Sequence, residues 1–171
     1  MAYRIDPGLP ADAELRRIAL EELDAALRSL ADPEREGLEE TVHGVRKRCK
    51  KLRALIRLTR RSLGAESGRA NAAVRDASAL LSPLRDAHAV LATFDVLVSS
   101  RADIVPVRGL RDVRAGLVAR SAAAEDAGSV TERIAGATAL LSDLRDRVPD
   151  WPLGDMRAAI AGAADFRGRA R

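Results

Sequence analysis

Nine lysines and arginines, and no acid, lie between His43 and Ala65, in V-H-G-V-R-K-R-C-K-K-L-R-A-L-I-R-L-T-R-R-S-L-G. The 171-residue chain has 29 basic and 25 acidic side chains, a formal net charge of only +4. Without these nine residues the remainder is net negative, so the positive charge is a local concentration and not a coat. Charge gathered in this way suits the binding of a polyanion. Lysine supplies compact point charges, and arginine a planar fork that meets two oxygens of one phosphate or carboxylate.

Spacing orders these charges. Leu38, Val42, Val45, Cys49, Leu52, Ile56, Thr59 and Leu63 recur at alternating intervals of four and three, the 3.5-residue period of a helix laid along partner helices. At about 100° per residue, His43, Arg46, Lys47, Lys50, Arg53, Arg57 and Arg61 fall within a sector of roughly 120°, on the order of 130° from that seam. Like charges three and four residues apart cost up to about 0.5 kcal/mol per pair in an isolated helix. A bound anion would relieve the repulsion; the alternative is a solvated face, or one paired with acids of neighbouring helices.

Further on, N-A-A-V-R-D-A-S-A-L-L-S-P-L-R-D-A-H sets Asn71, Arg75, Ser78, Ser82 and Arg85 on one side, provided Pro83 turns the helix little. This strip could complete an anion groove. Equally, Arg75 and Arg85 could pair locally with Asp76 and Asp86, or Asp86 could orient a neighbouring guanidinium. His43, at the start of the cationic stripe, could donate to phosphate, support an arginine or bond to a neighbouring helix. Glu39 and His43 stand at i, i+4, but with His88 the only other histidine, no third metal ligand announces itself. Cys49 sits on the apolar seam as a core residue. No phosphate loop of Walker type, G-x-S-x-G or H-E-x-x-H is present. The pattern therefore calls for no cofactor and no metal, and it reads as a non-catalytic binding surface. A phosphohydrolase using His43 is a lesser alternative. Contact with a nucleic-acid backbone is another; aromatics at 2% argue against single strands, whose recognition leans on base stacking.

The elements that must position these residues are all helical. Expected helices run over Ala11–Ala31, Glu34–Leu63, Arg69–Ser100 with a kink or break at Pro83, Val107–Glu125, Ser129–Val148 and Leu153–Arg169. Asp32-Pro33, Gly64, Asp103–Pro106, Gly128 and Pro149–Pro152 punctuate them. No stretch alternates with period two. The chain thus reads as an all-α, antiparallel helical bundle of about six helices and a single domain over residues 1–171. It has no apolar run of the roughly 20 residues that span a bilayer, no secretory start and one cysteine, which together suggest a cytoplasmic protein with no membrane partner.

The segments V-H-G-V-R-K-R-C-K-K-L-R-A-L-I-R-L-T-R and N-A-A-V-R-D-A-S-A-L-L-S-P-L-R-D-A, with the P-G-L-P lead-in to the first helix, resemble the CHAD domain, the conserved histidine α-helical domain. The resemblance is strongest over residues 9–98. It implies an all-helical domain of two similar bundles around a basic cavity, binding of inorganic polyphosphate, and association with polyphosphate granules. By position, His43, Arg46, Lys47, Lys50 and Arg53 match the first histidine motif, while Arg75 and the Arg85-Asp86 pair match the second cluster. Arg57 extends the stripe. The second histidine-plus-basic helix of the family is missing, and D-F-R-G-R-A-R resembles the linker before it. The chain accordingly reads as the N-terminal half, or one lobe, of a CHAD domain, and two copies could pair their basic lobes as a homodimer.

Overall fold

The computed structural model describes residues 9–100, 110–124 and 126–154, with side chains at all of these except 85–88, 124 and 127. Every regular element in these segments is helical: α1 (Ala11–Ala31), α2 (Leu38–Leu58), the single turn α3 (Arg60–Leu63), α4 (Ala65–Leu80), α5 (Ser82–Ser100), α6 (Arg111–Ala124) and α7 (Ala127–Arg147), followed by a 3₁₀ turn at Val148–Asp150. The described residues therefore form seven helices where the sequence suggested about six. The extra pieces come from two interruptions of expected helices, at Thr59 and at Leu81 just before Pro83. The latter is the break that proline imposes by lacking an N–H.

Expected bounds hold closely for α1 and shift elsewhere. Glu34–Gly37 forms a turn ahead of α2 instead of its first turn. Gly64, with φ of 53°, ends α3 as anticipated, and α4 then starts at once at Ala65 and not at Arg69. Asp126 opens α7 by accepting a hydrogen bond from the Ser129 amide at 3.3 Å, the usual use of an aspartate at a helix start. The expected turn at Asp103–Pro106 lies outside the described residues. So does the expected last helix beyond Gly154, whose first two residues, Leu153 and Gly154, are not helical.

Four helices make the bundle. α1 packs on α2, α2 on α4, α4 on α7, and α7 back on α1. Cross-links fix their senses: Arg53 of α2 meets Asn71 of α4, Arg46 meets Ser78, and Arg147 at the end of α7 meets Glu66 at the start of α4. Neighbours are thus antiparallel, an up-down-up-down arrangement. The core is aliphatic: Leu15, Ile18, Leu23 and Leu30 from α1, Val42, Val45, Leu52 and Ile56 from α2, Leu141 and Leu144 from α7. α4 contributes Ala70, Ala73, Val74 and Ala77, small side chains that let its neighbours come close. At Gly136 of α7 an added Cβ would stand 3.0 Å from Leu80 Cδ1, so a larger residue there would make the Leu80 side chain shift by a few tenths of an ångström. The single Trp151 is buried, and its carbonyl accepts a 2.7 Å bond from Arg16 Nη2. That contact ties the end of α7 to the start of α1.

The bundle's stability rests on this aliphatic seam. Leu52→Ala, at a side chain 1% exposed, should lower the unfolding free energy by about 2–5 kcal/mol in urea titrations followed by circular dichroism. A change inside experimental error would show that α2 is not docked through this face.

Candidate functional site

The basic helix α2 is wedged between α1 and α4, and its cations separate into three groups. The first turns toward α1. There Glu22 is 5% exposed, and its two carboxylate oxygens accept from Arg48 Nη1 at 3.0 Å and Lys51 Nζ at 2.7 Å. A buried carboxylate needs such partners, because leaving it unpaired forfeits its hydration without return. The sequence reading passed over Glu22. The signal was there: in the α1 seam of Leu15, Ala19, Ala26 and Leu30, position 22 is where an apolar residue belongs.

The second group turns toward α4 and α5. Arg46 Nη1 donates to the Ser78 carbonyl at 2.7 Å and also to the Ser82 hydroxyl. The Ser82 hydroxyl itself donates to the same Ser78 carbonyl at 3.0 Å. Arg46 therefore satisfies a carbonyl at the negative end of α4, close to the proline break. Arg53 Nε donates to Asn71 Oδ1 at 3.1 Å. Asn71, Ser78 and Ser82 do form the expected strip opposite the stripe, and they receive its arginines. Each guanidinium keeps other N–H groups, for arginine has five donors in all.

The third group is the outward crest. His43, Lys47 and Lys50 are exposed, and among the described residues they make no hydrogen bond or ion pair. Arg57 continues the crest along the same face, also exposed. From His43 to Arg57 this row is about 21 Å long at 1.5 Å per residue.

Two expected site residues stand apart. Arg75, on α4, is bound through Nε and Nη2 to the two carboxylate oxygens of Asp76 at 2.8 and 3.2 Å. That hydrogen-bonded pairing holds the Asp76 carboxyl below its ordinary range. The local pairing considered for Arg75 is the one found, so its charge is largely offset. The side chains of Arg85 and Asp86 lie outside the described residues. Glu39 and His43 share no metal-type cluster, and no group of three or more potential ligands occurs among the described residues. Cys49 is buried, as the seam required, and that burial pushes its thiol up to about 11 against the opposing pull of Arg46 and Arg53.

A family model for the CHAD domain matches residues 14–170. The chain belongs to the CHAD-domain family. No curated protein and no solved structure matches it. The match takes in α1, α2 and the α4–α5 junction, so the crest and both sets of tethers lie within the CHAD domain. No helix among the described residues is long and apolar enough to cross a membrane.

Two outcomes follow from these contacts. Glu22→Ala leaves Arg48 and Lys51 without their shared partner. Because both cations are about one-third exposed, the loss should be about 1–3 kcal/mol, read in urea titrations; an unchanged midpoint would mean that the triad does not hold α1 to α2. Cys49, buried and with its thiolate disfavoured, should resist iodoacetamide at pH 8 in the native chain and react readily in denaturant. Equal rates in both states would contradict its place in the core.

Proposed function

We propose that this CHAD domain binds inorganic polyphosphate along α2 and does so without catalysing a reaction on it. One observation carries the reading: Lys47 and Lys50 stand exposed, with His43 beside them and no carboxylate paired to them among the described residues. The family's association with polyphosphate supports the choice of ligand. So does the linear form of the site, a row of cations on a rigid helix with few aromatics in the chain. A polymer that carries charge but no bases needs the row and has no use for stacking surfaces.

Binding then works in two ways along the same row. Arg46 and Arg53 are held in place by α4 and α5, so little side-chain freedom is lost when their remaining donors meet phosphate oxygens. His43, Lys47 and Lys50 are exposed and adapt to the polymer, and the exposed Arg57 continues the row. Neutralising successive phosphates releases counterions, which supplies much of the driving force and makes it salt-dependent. Attraction of this kind would also hold the protein on polyphosphate granules in a cytoplasm that contains them.

The test is a titration of the chain with polyphosphate of defined lengths at several salt concentrations. With about five cations engaged, the logarithm of affinity should fall with the logarithm of salt at a slope of about −3 to −4, and affinity should rise with polymer length. Lys47→Glu with Lys50→Glu should remove most binding while circular dichroism stays unchanged; retained affinity would overturn the reading. Duplex DNA competing as well as polyphosphate at matched charge and salt would point to a general phosphate-backbone binder. Release of orthophosphate that is lost in His43→Ala would point to an enzyme.

A further inference from the structure

The chain has three lysines, at positions 47, 50 and 51. All lie close together on α2, and their surroundings differ. Lys47 and Lys50 are exposed on the crest and make no hydrogen bond or ion pair among the described residues. Lys51 follows Lys47 by one helical turn, about 40° further round the helix at 100° per residue. By position alone it belongs to the edge of the crest. Its side chain is 32% exposed, yet its Nζ donates to Glu22 Oε1 at 2.7 Å.

Glu22 is 5% exposed, and its other oxygen accepts from Arg48 Nη1 at 3.0 Å. A carboxylate buried this deeply keeps its partners, because losing one leaves its charge poorly compensated in the α1–α2 contact. Lys51 therefore meets a phosphate only by giving up that bond. An exposed ammonium faces no such cost, since it exchanges water and a loose counterion for the phosphate. The opposite flank of α2 works differently. There Arg46 and Arg53 bond to the Ser78 carbonyl, the Ser82 hydroxyl and the Asn71 amide oxygen, all neutral, so their charge stays available. The α1 flank is acidic beyond Glu22 as well: Glu14 and Glu21 both accept from Arg17, at 2.7 and 2.5 Å.

We propose that Glu22 is a positioning residue for polyanion binding. It fixes the α1-side edge of the track, so that Lys47 and Lys50 touch the polymer and Lys51 does not. This role rests on the polyphosphate reading and adds to it which lysine of α2 stays off the polymer. The acid that docks the helix thus also sets the width of its cationic row. In Glu22→Gln the amide oxygen still accepts a hydrogen bond, but one positive charge beside the crest is no longer offset.

With so few lysines, an amine-reactive reagent reads this edge residue by residue. The unaltered full chain is labelled with an acetylating reagent at low salt, with and without saturating long-chain polyphosphate, and each lysine is followed by mass spectrometry. Labelling of Lys47 and Lys50 should slow severalfold with the polymer, while Lys51 keeps its rate. In Glu22→Gln, Lys51 should join the protected set, and the salt slope should steepen by about 0.7, the value for one further charge on a single strand. Glu21→Gln makes the same change of charge on the exposed face of α1 and should do neither. Equal protection of all three lysines in the unaltered chain would overturn the proposal and leave polyphosphate binding in place. So would a folded Glu22→Gln chain in which neither Lys51 labelling nor the slope responds. Protection of none of the three would overturn the polyphosphate reading itself, and the proposal with it. The unaltered chain decides the question even where the substitution prevents folding.

Discussion

The carboxylate of Glu22 is the constraint on which the arrangement of α2 depends. It is buried in the contact between α1 and α2, where an unpaired charge would be expensive, and both of its partners come from the basic helix. Satisfying it turns Arg48 and Lys51 toward α1. The apolar seam already restricts the rotation of α2, and this ionic contact agrees with it. His43, Lys47 and Lys50, whose mean direction is roughly 100° further round the helix, are then left facing solvent. One buried acid thereby docks the helix and decides which of its cations remain available.

The other flank is held by neutral groups. Pro83 interrupts the run from α4 into α5, and a carbonyl just before the interruption takes its hydrogen bonds from Arg46 and Ser82. Arg53 and Asn71 make a second tie further along. These contacts leave guanidinium charge in place while fixing its position, unlike a salt bridge, which would neutralise it. The cationic surface thus has an anchored edge beside α4 and an adaptable crest. Such a division, with one edge fixed and the other free to adjust, would suit a flexible polyanion.

Much of this was legible in the residue order. The four-and-three spacing from Leu38 to Leu63 announced a docked helix, and all of those positions but the half-buried Leu38 are buried. The strip of Asn71, Ser78 and Ser82 was recognisable from helical spacing alone. What it would meet was not, because the distance between α2 and α4 is set by the alanines of α4 and cannot be read from either helix separately. Arg75 shows the limit from the other side. Helical spacing sets it on the strip, yet the adjacent Asp76 binds it. Glu34–Gly37 falls within the expected basic helix, but Gly37 at φ of 88° and the turn before it close the α1–α2 connection instead.

By itself the sequence determined the helical class, the register of the seam on α2 and the concentration of positive charge opposite it. These are local properties: periodicity and charge act within one helix, at separations of three and four residues. Membership of the CHAD-domain family also rests on residue order. Tertiary structure decided which cations were spent on structure and which were left exposed. Those outcomes depend on contacts such as Glu22 with Lys51 or Arg46 with Ser78, whose partners lie 29 and 32 residues apart. No local rule relates residues that far apart; only packing the four helices brings them within a hydrogen bond.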